Sequence, residues 1–313
     1  MVKEHFTYLS NDRITQIHAV RWMPEGEIRA VLQIAHGMVE HIERYDAFAA
    51  FLADQGILVT GNDHLGHGDS VRSKEDLGYF AEKKGNVVLI KDMHALRKMT
   101  QEQYPDIPYF MLGHSMGSFL LRQYLCVYGR GLAGAVIMGT GHHSAAELTA
   151  ALALTENLAK VKGWRHRSTA VDGIVSGVCR KNLENPRTSK DWLTKEKEIV
   201  DAYVSDERCR FVFTLNAYHN MFLGLYRLTV KESLARMPKD LPVFFVSGAM
   251  DPVGNNGKGV LQVYAEFKEL GMRNVNLRLY PGDRHEILNE TDREKVYEDI
   301  LGWIEGVISG KTE

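Results

Sequence analysis

Three residues far apart in the chain have the types that acyl-transfer chemistry needs: Ser115, Asp251 and His285. Ser115 lies in Gly113-His-Ser-Met-Gly117, after the apolar run Tyr109 to Leu112 and before Ser118 to Tyr128, whose apolar residues have helical spacing. A neutral serine is a poor nucleophile. It needs a base to take its proton and an acid to orient the base. It must also project from a tight strand-to-helix turn, where glycines two residues to either side let strand and helix approach each other. The helix that follows turns its unpaired N–H groups towards developing negative charge. G-x-S-x-G alone also fits an ordinary turn with a capping serine; the strand before it and the helix after it favour the nucleophile.

The partners are expected in loops at the carboxyl ends of strands. Val243-Phe-Phe-Val-Ser-Gly-Ala-Met-Asp251 places an acid just past one apolar run. Asn276-Leu-Arg-Leu-Tyr-Pro-Gly-Asp-Arg-His285 places a base just past the next. Asp283 is a rival acid, less suited because it is so near His285 in the chain. An oxyanion requires two N–H donors. The amide of Met116 follows the nucleophile. The amide of Met38 is the second, in Ala35-His36-Gly37-Met38, where Gly37 is expected to allow a sharp turn.

Other residues invite chemistry but fit scaffold roles better. Glu40 and Arg44 are four apart and can pair across one helical turn. His64 and His67 have a metal-like spacing, yet no third ligand accompanies them, so they are read as shaping a turn, with no metal and no cofactor. Phe211 to Arg227 is apolar nearly all round. Tyr218, Met221 and Phe222 in it are candidate substrate contacts, with packing against the body as the alternative.

These residues need a frame. Strands are expected at Ile14–Trp22, Ile28–Ala35, Ile57–Asn62, Tyr109–Leu112, Leu132–Met138, Pro242–Ser247 and Val275–Tyr280, with helices between them. Continuous apolar strands alternating with helices specify a mostly parallel sheet covered on both faces. From 142 to 238 no strand pattern occurs. That stretch is read as a helical cap inserted in a core made of 1–141 and 239–313. It holds 15 Lys/Arg against 11 Asp/Glu, a charge of +4 in a chain whose total is −2. Arg165, Arg167, Arg208 and Arg210 are expected on its outer surface or near its mouth, meeting anionic lipid or micelles.

The chain has 313 residues and 44% hydrophobic composition, enough for a large core. No basic block supports nucleic-acid binding. No run of eighteen apolar residues suggests a membrane span, and the polar N-terminus does not read as a signal peptide. Three widely spaced cysteines read as free thiols, pointing to the cytoplasm. Oligomeric state has no signature.

His36-Gly-Met-Val-Glu-His-Ile-Glu-Arg44-Tyr45, Asp63-His-Leu-Gly-His-Gly-Asp-Ser70, Gly113-His-Ser-Met-Gly117, Asp251-Pro-Val-Gly254 and His285-Glu286 together resemble the monoglyceride lipase and lysophospholipase branch of the α/β-hydrolases. The resemblance runs from about 30 to 290 and is loose in the cap. It implies an α/β-hydrolase fold of about eight strands, Ser115 as nucleophile, His285 as base, Asp251 as acid and the Met38 and Met116 amides as oxyanion donors. The expected activity is hydrolysis of small or single-chain acyl esters such as monoacylglycerols or lysophospholipids. Alternatives are a peptidase or amidase, which would call on an acidic anchor such as Glu147, Glu156 or Glu184, and a non-catalytic binding protein of the same fold.

Overall fold

A computed structural model describes residues 1–180 and 185–311. Eight strands form one sheet: β1 (Val2–Leu9), β2 (Gln16–Met23), β3 (Ala30–Ala35), β4 (Ile57–Asn62), β5 (Tyr109–His114), β6 (Gly134–Met138), β7 (Val243–Gly248) and β8 (Val275–Tyr280). Their order is β1-β2-β4-β3-β5-β6-β7-β8. β2 runs antiparallel to both β1 and β4, and every pairing from β4 to β8 is parallel.

The helices are α1 (Asp46–Asp54), α2 (Gly85–Gln103), α3 (Met116–Tyr128), α4 (Ala145–Lys162), α5 (Thr169–Arg180), α6 (Lys197–Ser205), α7 (Leu215–Arg227), α8 (Lys231–Leu234), α9 (Lys258–Glu269) and α10 (Arg293–Ile308). The apolar strands serve two cores at once because successive side chains point to opposite faces. Met111, Ile137 and Phe245 join the core under α2, α3 and α9. Phe110, Leu112, Val136 and Val246 join the core under α1 and α10. Each fully buried Leu or Phe contributes roughly 1.5–3 kcal/mol, so strands buried on both faces are held strongly where they must aim a side chain.

β1 is an addition to the strands expected from sequence. It is a largely exposed edge strand, with Tyr8 as its one buried residue, and it carries no apolar run to reveal it. The turn after it is bolted to α2, where Asp92 accepts from Ser10 Oγ and from the Asn11 backbone and side chain.

Between β6 and β7 the described residues contain helices and no strand. α7 buries Leu215, Tyr218, Phe222 and Leu225 in the same core as α2 and α3. A Cβ on Gly224 would lie 2.3 Å from Asn86 Oδ1 and 2.7 Å from Gln123 Nε2, so α7 lies hard against both helices. No helix among the described residues is long and apolar enough to cross a membrane.

Candidate active site

Ser115 separates β5 from α3 with φ 53° and ψ −119°, a left-handed conformation costly for a residue with a Cβ. The flanking glycines are required by proximity. A Cβ on Gly113 would lie 2.4 Å from Gly117 O, and one on Gly117 would lie 2.0 Å from Ala35 O. The Ser115 N–H donates to Met138 O of β6 at 3.0 Å, while Ser118 N and Oγ both donate to Ser115 O. Within His114-Ser-Met-Gly117, Ser115 alone keeps partial exposure.

Asp251 and His285 stand at the ends of β7 and β8 and are buried. His285 Nδ1 lies 2.9 Å from Asp251 Oδ1. A carboxylate only accepts, so Nδ1 carries the proton in this pair. Val253 N also donates to Oδ1, at 2.9 Å. Asp283, the rival acid, bonds instead to Lys195 Nζ at 2.9 Å, and burial pushes its carboxyl up to about 6. Among the described residues no hydrogen bond joins the Ser115 hydroxyl to His285. His114 links the two: it precedes Ser115, its ring lies 4.6 Å from the His285 ring, and its Nε2 is 3.2 Å from the His285 carbonyl.

The amides of Met38 and Met116 have no hydrogen-bond partner among the described residues. The turn holding Met38 differs from the sequence reading. Its left-handed residue is Val39, φ 58°, and not Gly37. Gly37 is needed for closeness, since a Cβ there would lie 2.7 Å from Glu40 Oε1 and 3.1 Å from Ser115 Cβ. The two candidate amides therefore flank Ser115.

Behind this turn lies a buried charge network. Glu40 accepts from Gly37 N, Tyr45 Oη and Arg44, with His114 Nδ1 at 3.3 Å. Arg44 also forms a two-pronged bond to Glu286, 2.7 Å at each prong. Burial opposes charge on Glu40, but the bond from His114 and the Arg44 guanidinium outweigh it and hold its carboxyl well below the usual range. Burial likewise opposes protonation of His114, and Glu40 overcomes it, raising the imidazole above its ordinary value. The expected Glu40–Arg44 pair is present; the third partner, Glu286, was not foreseen in that role.

His64 and His67 join no metal-like cluster among the described residues. His64 N donates to His36 Nε2 at 2.9 Å and His64 Nε2 faces His36 O at 3.1 Å, bracing the strand end before Gly37. The His67 ring packs among Phe80, Phe211 and Phe213. Burial pushes these imidazoles down, His64 to about 4 and His67 to about 3.

Residues between β6 and β7 reach His285 and the Met38 turn more directly than the sequence suggested. Tyr203 Oη donates to Val39 O at 2.8 Å. The Trp192 ring lies 5.0 Å from that of His285, and Glu286 N donates to Leu193 O at 2.7 Å. Neither Tyr203 nor Trp192 carried a signal, because their partners are distant in the chain. Tyr218 is fully enclosed, with its hydroxyl on Asp172 at 2.7 Å and its ring against Phe213 and Phe222. Phe222 is buried and Met221 half-buried. Of the four arginines expected on the outer surface or near the mouth, Arg165 and Arg167 are exposed and Arg208 is half-buried, and all three also bond residues of 1–141. Arg165 bonds Asp76, Arg167 bonds the carbonyls of Glu75 and Leu77, and Arg208 bonds Glu43. Arg210 stays exposed.

A family model described as Hydrolase_4, serine aminopeptidase S33, matches residues 26–292. The monoacylglycerol lipase of Mycolicibacterium smegmatis is 27% identical over 286 residues, covering 90% of each chain. The monoglyceride lipase of Homo sapiens is 26% identical over 299 residues, covering 90% of this chain and 84% of that one. Among solved structures, a highly thermostable carboxyl esterase from Bacillus coagulans in complex with glycerol superimposes with a TM-score of 0.91 at 30% identity, covering 98% of this chain and 99% of that one. With a sheet of this order carrying Ser115 at a strained strand-to-helix turn, the chain belongs to the serine aminopeptidase S33 family of α/β-hydrolases, in its monoglyceride lipase-like branch, and is a serine ester hydrolase.

Proposed function

We propose that this hydrolase cleaves single-acyl-chain carboxylic esters of the monoacylglycerol or lysophospholipid type through a Ser115–His285–Asp251 triad. The observation that carries the reading is the Asp251–His285 hydrogen bond at the strand ends beside the strained Ser115. Ser115 Oγ attacks the ester carbonyl carbon while His285 Nε2 takes its proton. Asp251 keeps Nδ1–H oriented and balances the imidazolium. The Met38 and Met116 amides receive the charge that develops on the carbonyl oxygen. Collapse of the tetrahedral intermediate breaks the ester C–O bond, and His285 returns the proton to the departing alcohol. Water, deprotonated by His285, then splits the acyl-enzyme and releases the acid.

In this reading 142–238 is a cap over the site, and Met221 with the edge of Phe222 contacts the acyl group. Tyr218, enclosed and bonded to Asp172, supports them from behind. Leu154, Val161 and Trp164, on or just after α4, and Ile174 and Val178 on α5 are exposed apolar residues suited to transient lipid contact. Three cysteines without a disulfide accord with the cytoplasm. A peptidase has less support. Glu147 is spent capping α4 with Ser144, Glu156 pairs with Lys160, and Glu184 lies outside the described residues.

The test is kcat/KM over p-nitrophenyl esters from C2 to C16 beside aminoacyl anilides, with fluorophosphonate labelling of wild type and Ser115→Ala. Esters should be strongly preferred and labelling should require Ser115. Faster anilide turnover, or labelling that survives the substitution, would sink the proposal.

A further inference from the structure

The segment 191–195 lies in the inserted region by sequence, yet its residues repeatedly grip the loop that carries His285. Arg284 Nη1 donates to the carbonyls of Asp191 and Thr194. Glu286 N donates to Leu193 O at 2.7 Å, and Thr194 Oγ1 donates to Asn289 O at 2.9 Å. Lys195 Nζ reaches Asp283 at 2.9 Å and Glu290 at 3.7 Å. The centre of this strap is Trp192. Its ring is 5.0 Å from the His285 ring at 40°, and the His114 ring is 4.6 Å away at 41°. His285 is 2% exposed.

We infer that Trp192 is a positioning residue for His285, packing against its imidazole so that the ring keeps one orientation through both proton transfers. This rests on the triad reading above. The Asp251 bond fixes one atom of the ring, Nδ1, and leaves the tilt about that bond to be set by packing. A base must stay within hydrogen-bond reach of the proton it moves, and displacements near 1 Å cost rate steeply. An indole within about 6 Å also attracts the imidazolium formed at each step. The other titratable groups facing this ring are Asp251 on Nδ1 and His114 with Glu40 behind it. Asp283, Lys195 and Glu286 lie in the loop and strap.

The experiment uses the full chain in a Trp164→Phe background, because Trp164 also lies 5.0 Å from a histidine, His219. Protonated imidazole quenches indole fluorescence on contact, so Trp192 should report His285 directly. In the background protein, emission should fall as pH drops, with a midpoint matching the acid limb of kcat/KM for p-nitrophenyl acetate. That step should vanish when Trp192→Phe is added. Trp192→Leu should lower kcat about tenfold with KM within about twofold, and Trp192→Phe, which keeps an aromatic face, should recover most of it. An unchanged fluorescence step in the doubly substituted protein overturns the assignment, as does wild-type kcat in Trp192→Leu. If Trp192→Leu does not fold, the fluorescence comparison alone decides. Ser115→Ala run in parallel separates the two ideas. Turnover retained there defeats the triad, whereas turnover lost there beside a null result at Trp192 defeats only the positioning role.

Discussion

Glu40 and Glu286, far apart in the chain, grip the same guanidinium, that of Arg44. Glu40 sits in the turn beside Ser115, and Glu286 follows His285. Glu40→Gln removes one buried negative charge, leaves Arg44 with Glu286 alone and weakens the bond to Gly37 N. Breaking one partner of a buried network costs about 2–4 kcal/mol. The expected result is a lower urea midpoint together with a reduced kcat. An unchanged midpoint would mean the network contributes nothing to stability.

Ser115 adopts φ 53°, and the strain comes from its Cβ, which alanine retains. Ser115→Ala and Ser115→Gly should both lose about 10⁴-fold in kcat, but they should part in stability. Glycine relieves the left-handed strain, about 1 kcal/mol. Denaturant titration should rank Ser115→Gly above Ser115→Ala; the reverse order would place the strain elsewhere.

His67 is buried and pushed down to about 3. Unfolded histidine titrates near 6.5, so between those values the unfolded chain binds a proton that the folded chain refuses. Stability is therefore lost as pH falls below about 6.5, by up to about 1.4 kcal/mol per pH unit for one such group. His67→Phe suits the aromatic cluster around it and removes this contribution. Unfolding free energies at pH 7 and pH 5 should show a smaller acid loss in the variant. Equal losses would mean that His67 takes up a proton in the fold.

Tyr203→Phe deletes the bond from α6 to Val39 O and leaves that carbonyl unpaired. A stability cost of about 1 kcal/mol is expected, with a several-fold fall in kcat and little change in KM for a short ester. A KM effect alone would make Tyr203 a substrate contact and not a brace for the turn.

The elements carrying Ser115 and Asp251 were readable because each residue follows a strand buried on both faces, and such strands announce themselves as apolar runs; the edge strand before His285 was readable from the alternation of Leu277, Leu279 and the polar residues between them. β1 was not readable: only Tyr8 of Val2–Leu9 is buried. Phe211 to Arg227 was identified as apolar, but an apolar helix reads the same whether it faces a ligand or a core. Tyr218 turned out enclosed beside Asp172. Arg165, Arg167 and Arg210 are exposed, as their charge suggested, but the pairing of Arg165 with Asp76 and of Arg208 with Glu43 had no local pattern to reveal it. Pairings such as Trp192 with His285 or Arg44 with Glu286 leave no local pattern, since the partners are far apart in the chain.

The strap at 191–195 has a consequence for assembly. Ser115 and its turn leave the ribosome before β7, β8 and the His285 loop, which must find a segment already made. Backbone contacts such as Glu286 N to Leu193 O close long loops, and long loops close late. Secondary structure should therefore return before ester turnover during refolding. The nascent chain would carry a shaped but inert serine until the His285 loop arrives.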